Sequence, residues 1–133
     1  MKHKRDRQGA AAVEFAIIAP LLFMLLLAFI ELSRGFMVQQ VLTNASRVGA
    51  RQAITVGATQ AETSDAVQSY TSSMGLTGTT ITINPNPSTA SSGDEVTVTV
   101  AIPYASVTWL PVPKYLAGKT LTASSVMRKE GFD

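Results

Sequence analysis

The strongest constraint on this chain is an uninterrupted apolar stretch close to its N-terminus. Residues 15–30 read FAIIAPLLFMLLLAFI and carry neither a charged nor a hydrogen-bonding side chain. With the preceding Ala10–Glu14 they form 21 residues that contain a single charge, on Glu14. A helix of that length rises about 31 Å, which matches a bilayer hydrocarbon core of about 30 Å. The sequence therefore predicts a transmembrane helix, because the remaining residues are too few to surround it as a buried core helix.

Three interpretations of this segment compete. A cleaved secretory signal peptide needs a small-residue A-x-A site after its apolar stretch, and the residues after Ile30 (ELSRGF) do not supply one. An uncleaved anchor explains the hydropathy, but it gives no role to Glu14, whose charge is costly in apolar surroundings. Cleavage after Gly9 would free a protonated amine on Ala10, and helical spacing places that amine on the same face as Glu14. The carboxylate could then pair with its own amine or with that of a neighbouring subunit.

The residues around this position resemble a known family. The segment GAAAVEF, residues 9–15, resembles the prepilin-peptidase site of type IV pilin-like proteins. Residues 7–53 resemble the N-terminal region of TadE-like proteins (TadE and TadF), which are minor pilins or pseudopilins of the Tad (Flp) tight-adherence pilus. The segment TASSVMRKE, residues 122–130, is similar to the last strand of that family.

This resemblance implies a role in the biogenesis of an adhesive pilus. It implies that a prepilin peptidase cleaves after Gly9 and leaves Ala10 as the first mature residue. Glu14, at the fifth mature position, would then serve processing or assembly, and Phe15 fills the place of an aromatic residue that commonly follows it. The implied partners are the prepilin peptidase and other pilin or pilus-machine subunits, a TadF-like protein among them.

Charge distribution predicts how the chain is oriented. Residues 1–9 carry four basic residues and one acidic residue, whereas residues 10–133 carry seven basic and eight acidic ones. The positive-inside rule therefore places the N-terminus in the bacterial cytoplasm, and a single pass through the inner-membrane lipid places the C-terminus in the periplasm. The scattered basic residues after the apolar stretch do not form a nucleic-acid-binding patch.

Beyond the membrane the pattern predicts that the first helix continues to about Val56 and stops at Gly57. The residues from Thr59 to Glu62 match a capping box, which predicts a second helix that ends at Gly75. Its predicted apolar stripe consists of Ala66, Val67, Tyr70 and Met74.

Three segments after Gly75 alternate with a period of two, which is typical of half-buried strands. Their inward positions begin at Ile81, at Val96 and at Leu121. The predicted fold is α+β: a long transmembrane and stalk helix, a short second helix and a small three-stranded antiparallel sheet packed on the outer half of the long helix. The predicted divisions are a cleaved cytoplasmic leader (1–9), a transmembrane and stalk helix (10–57) and a periplasmic α+β region (58–133).

Several features outside the N-terminal segment have two interpretations each. The small-residue ridge Ala45–Gly49–Ala53 either packs subunits together or packs against the chain's own sheet. Arg47 and Arg51, one turn apart, either bind lipid head groups or an acidic partner or form a solvated face. Loop aromatic residues either contact a partner subunit or the membrane interface, or they cap the open end of the sheet; they are Tyr104, Trp109 and Tyr115.

The sequence shows no pattern of residues that is typical of an enzyme active site. The chain has no cysteine, and its one histidine, His3, lies in the predicted leader. The sequence contains no phosphate-binding loop and no metal-ligand spacing, so we expect neither an enzyme nor a cofactor. Two hypotheses remain: a processed pilin-like structural or assembly subunit, and an uncleaved signal-anchored inner-membrane protein whose outer domain binds an envelope partner.

Overall fold

The computed structural model describes residues 2–110 and 118–131, with side chains described from Gly9 onward. The chain forms two compact units, Met1–Ser33 and Arg34–Asp133. Both units contain part of helix α1, which extends over Lys2–Ala53. The first unit consists of one largely apolar stretch of helix, whereas the second unit contains a hydrophobic core.

In the first unit, α1 continues through Pro20 and presents its apolar side chains to the surroundings. The 18-residue window that qualifies α1 as a candidate membrane span contains no buried residue. The length and composition of this helix are therefore those of a transmembrane segment, as the sequence predicts. The helix begins before the expected Ala10, since the leader consists largely of lysine, arginine and glutamine, which are good helix formers.

In the second unit, residues 34–53 of α1 bury one face. That face carries Val38, Leu42, Ala45 and Ala53, all fully buried. The helix ends at Ala53 rather than at Val56, because the β-branched run Ile54–Val56 leads into Gly57, which has φ +77°. Ala45, Gly49 and Ala53 are all buried within this unit, so the small-residue ridge packs against the chain's own fold.

Helix α2 spans Gln60–Ser73, and its two ends are capped as the sequence predicts. At the start, the Thr59 hydroxyl accepts a hydrogen bond from the Glu62 N–H, and the Glu62 carboxylate accepts one from the Thr59 N–H, which completes a capping box. At the end, Gly75 adopts φ +76° and the Leu76 N–H donates to the Thr71 carbonyl at 2.9 Å, which closes the helix in a Schellman motif.

The buried stripe of α2 differs from the predicted one. Thr63, Val67 and Thr71 are buried, whereas Met74 is exposed. The two threonines can enter the core because each hydroxyl donates to a carbonyl of the same helix turn, Thr63 to Thr59 and Thr71 to Gln68. A pattern that counts only apolar residues misses this stripe.

Replacement of Thr59 by alanine removes the hydroxyl that caps α2. We expect the free energy of unfolding of the second unit to fall by about 1 kcal/mol, in line with the loss of an N-cap threonine. Urea unfolding of the full chain in detergent micelles, followed by the fluorescence of the single tryptophan, measures this loss. The exposed Thr77 provides the matched control, since Thr77→Ala removes the same atoms away from a helix cap; equal losses for both variants would contradict the capping role.

Three strands form one antiparallel sheet in the order β1–β2–β3. They span Thr80–Asn84, Glu95–Pro103 and Thr120–Arg128, and a short 3₁₀ helix at Tyr104–Ser106 follows β2. The central strand β2 alternates as the sequence predicts, with its four aliphatic side chains buried: Val96, Val98, Val100 and Ile102. The α+β fold class is therefore confirmed, including the second helix and the three-stranded antiparallel sheet.

Strand β3 runs in the same direction as the second half of α1 and is hydrogen-bonded to it at two levels. The Gln39 amide donates to the Thr122 carbonyl at 3.0 Å, and the Ser46 and Ser125 hydroxyls share a hydrogen bond of 2.8 Å. From Gln39 to Ser46 the helix rises about 10 Å, and from Thr122 to Ser125 the strand also rises about 10 Å. The two hydrogen bonds are therefore separated by the same axial distance on the helix and on the strand. The Ser46–Ser125 bond also satisfies the one serine that is fully buried among the described residues.

Candidate processing and assembly segment

The four predicted site residues lie together near the start of α1. Gly9, Ala10, Glu14 and Phe15 are all helical and all exposed, with 72% of Phe15 accessible. A Cβ atom built on Gly9 would meet no atom within 4 Å. The segment is therefore open to a large partner such as an enzyme or a second subunit.

Glu14 is the one acidic residue between Gly9 and Ile30. It lies four residues after Ala10 on the same helix, so the two positions share a face. Among the residues whose side chains the structure describes, no hydrogen bond or ion pair involves the Glu14 carboxylate. In a bilayer this carboxylate favours a cationic partner, because burial of an unpaired charge is costly.

The apolar side chains that follow Glu14 determine the surroundings that this helix requires. Large hydrophobic residues are exposed throughout the stretch, including Ile17, Leu21, Phe23 and Ile30. A continuous apolar surface of this length is unstable in water, so it requires lipid or the apolar faces of other helices around it.

The second unit carries an exposed basic depression that the sequence only partly indicates. Its volume is about 260 Å³, and it is lined by Asn44, Arg47, Val48, Arg51 and Tyr70. The two arginines are exposed, as their spacing on α1 suggests, but the contribution of Tyr70 from α2 follows from tertiary packing alone. The depression offers guanidinium donors to an acidic group.

The aromatic loop is partly described. Trp109 is 70% exposed, and the guanidinium carbon of Arg34 lies 4.7 Å from the centroid of its ring, a cation–π geometry. The Arg34 Nε–H also donates to the Val107 carbonyl at 3.1 Å. Tyr104 is half-buried beside Gly35 of α1, and Tyr115 lies outside the described residues. The Arg34–Trp109 pair joins residues far apart in sequence, and no local pattern could have revealed it.

Metal chemistry has no evident site in the described part of the chain. Within those residues, no group of three or more histidine, cysteine or carboxylate side chains is close enough to hold a metal ion.

An exposed apolar N-terminal helix is followed by a small α+β unit, an arrangement that fits a membrane-anchored, pilin-like class of protein. The family model for TadE-like protein matches residues 9–51. The resemblance drawn from the N-terminal sequence is thereby confirmed over residues 9–51, which are TadE-like. The match begins at Gly9 and includes all four predicted site residues. Neither a curated protein nor a solved structure gives a significant match.

Proposed function

We propose that this chain is a pilin-like structural or assembly subunit in the biogenesis of a Tad adhesive pilus, and that a prepilin peptidase processes it after Gly9. The observation that carries the proposal is the position of Glu14. It is a lone carboxylate in an exposed apolar helix, four residues after Ala10, within the TadE-like segment. A new amine on Ala10 would supply a cation four residues before this carboxylate.

The backbone at Gly9 is compatible with such a cut. Glycine is less favourable than alanine in a helix interior by about 1 kcal/mol, so the helix opens more easily at Gly9 than along the neighbouring alanines. Among the described residues, no side chain lies within 4 Å of a Cβ built on Gly9, which is compatible with access by a peptidase. Removal of residues 1–9 takes away the basic leader and leaves a nearly neutral mature chain.

The proposed placement follows from the same charges. The basic leader stays in the cytoplasm, residues 10–30 cross the inner membrane, and the second unit lies in the periplasm. Assembly then pairs Glu14 of one subunit with the Ala10 amine of the same or a neighbouring subunit. The partners are the prepilin peptidase, other pilus subunits and inner-membrane lipid.

The test is the mass and N-terminal sequence of the chain recovered from membranes of cells with an active prepilin peptidase. We expect a chain that starts at Ala10. In the Gly9→Leu variant we expect residues 1–9 to be retained, because the larger side chain blocks the peptidase subsite. The Ala12→Leu variant places the same leucine side chain at an exposed position past the cut and should mature normally.

Retention of residues 1–9 in the unsubstituted chain would contradict the proposal. It would favour the second candidate function, an uncleaved anchor whose outer domain binds an envelope partner. The exposed depression around Arg47 and Arg51 is the observation that favours this candidate, because it presents two guanidinium groups to an acidic ligand.

A further inference from the structure

The end of the second unit that follows the membrane span combines an aromatic side chain with basic ones. Arg34 is the first residue of this unit and comes four residues after Ile30, the last residue of the apolar stretch. Four residues of chain span at most about 14 Å, even when fully extended. Arg34 therefore follows closely on the predicted membrane span.

Tertiary contacts bring two further segments to this level of α1. The Tyr104 ring approaches Gly35, and the Val107 carbonyl accepts the hydrogen bond from Arg34. The Tyr104 N–H donates to the Lys119 carbonyl at 2.9 Å, which places Lys119, an exposed residue, in the same region. We call Arg34, Tyr104, Trp109 and Lys119 the interfacial cluster.

The chemistry of the interfacial cluster fits one kind of partner. Trp109 is a large ring left 70% exposed, although the Arg34 guanidinium stacks on it and fixes its position. Tryptophan and tyrosine concentrate at membrane–water interfaces, and arginine and lysine there reach phosphate groups while their stems remain in apolar surroundings. The exposed carboxylates Asp94, Glu95 and Glu130 lie at the opposite end of the unit, whereas the half-buried Glu31 precedes Arg34 by three residues.

We propose that the interfacial cluster docks the second unit on the anionic phospholipid head groups of the membrane that α1 spans. Trp109 inserts at head-group level, and Arg34 and Lys119 bind lipid phosphates. The inference rests on the membrane anchoring of the proposed function and is independent of cleavage after Gly9.

The chain offers a direct probe, since Trp109 is its one tryptophan. The full chain is reconstituted in vesicles of phosphatidylcholine, or of phosphatidylcholine with phosphatidylglycerol, in which one lipid is brominated. We expect bromine near the glycerol end of the acyl chain to quench Trp109 more strongly than bromine near the methyl end. We also expect vesicles to protect Trp109 from acrylamide, a water-soluble quencher.

A second reporter supplies the control. Val56 is 72% exposed just beyond the far end of α1, and the helix rises about 30 Å from Arg34 to that end. The Val56→Trp reporter in a Trp109→Phe background should be quenched by acrylamide and should not respond to brominated lipid. Equal responses from Trp109 and this reporter would overturn the inference.

Two substitutions separate the contribution of positive charge to docking from that of the contact between Arg34 and Trp109. Lys119→Gln changes an exposed side chain, and we expect it to lower the ratio of docked to undocked units about fivefold in anionic vesicles, since one basic residue near such a surface contributes about 1 kcal/mol. Arg34→Lys keeps the charge but loses the stacked guanidinium, so quenching should persist with Trp109 less protected from acrylamide. Unchanged quenching in Lys119→Gln and identical quenching in neutral and anionic vesicles would overturn the choice of anionic lipid.

Two other outcomes are informative. If the protection of Trp109 from acrylamide rises with the protein-to-lipid ratio and its quenching does not depend on the position of bromine, a second copy of the chain covers the interfacial cluster. That result would overturn the inference. Flotation of the vesicles reports anchoring separately. A chain that floats with Trp109 unquenched overturns docking alone, whereas a chain that does not float also removes the anchor on which the proposed function depends.

Discussion

Substitution of Gly49 by alanine is expected to destabilise the second unit by about 1–2 kcal/mol, and substitution by leucine is expected to cost more. A Cβ atom at this position would lie 2.5 Å from Cγ2 of Val67 and 2.8 Å from Cγ1 of Val98. Both neighbours are fully buried, one on α2 and one on β2, so neither can move without disturbing the core. Overpacking of this kind costs about 1–3 kcal/mol, and the better helix propensity of alanine returns about 0.5–1 kcal/mol.

Gly35 provides the matched control on the same helix. A Cβ atom there would meet only Cε2 of Tyr104, at 4.0 Å, which is an ordinary contact distance. Gly35→Ala should therefore leave stability unchanged or raise it by up to about 1 kcal/mol. Urea unfolding in detergent micelles, read by Trp109 fluorescence, compares the variants. A Gly49→Ala variant as stable as Gly35→Ala would show that α1 does not approach α2 and β2 this closely.

Substitution of Glu14 by alanine is expected to abolish incorporation into pilus assemblies while membrane insertion is retained. A charged residue costs up to about 2.5–3.5 kcal/mol at the centre of a membrane helix and less near its end, so its removal favours insertion. Assembly should be lost because this variant lacks the carboxylate that we propose pairs with the Ala10 amine. Immunoblots of membrane fractions and of sheared pilus fractions separate the two effects.

Two further variants identify the chemistry at Glu14. Glu14→Gln keeps the shape of the side chain without its charge and should fail like Glu14→Ala, whereas Glu14→Asp should retain part of the incorporation. Ile17→Ala, at a nearby exposed position of the same helix, should assemble normally. Normal incorporation of Glu14→Gln would exclude an ion pair as the basis of assembly.

Local signals predicted much of this fold because they depend on backbone hydrogen bonds. The capping box at Thr59 and Glu62 and the Schellman closure at Gly75 follow from the chemistry of neighbouring residues. The alternation of β2 directly reports which of its faces is buried. The TadE-like segment was recognisable because its signal is also local: Gly9, the predicted cleavage position, and Glu14 lie within seven residues, 9–15.

Features that depend on distant residues could not be predicted in this way. Thr71 is buried because its hydroxyl is satisfied within α2 and also lies 3.4 Å from the Thr79 hydroxyl. Arg34 is positioned by Val107, which lies 73 residues away in sequence. The Arg34–Val107 contact joins distant segments of the chain, so no local pattern reports it.

The parallel course of α1 and β3 has a mechanical consequence. Hydrogen bonds join the part of α1 in the second unit (34–53) to the C-terminal segment at Gln39 and Thr122 and at Ser46 and Ser125, and a third, between Ile54 and Glu130, lies just beyond the end of the helix. A pull along the helix axis loads these bonds together, in shear, rather than one after another as in peeling. Force applied to the membrane anchor, as when a subunit is drawn out of a bilayer, is thus spread over the length of the domain.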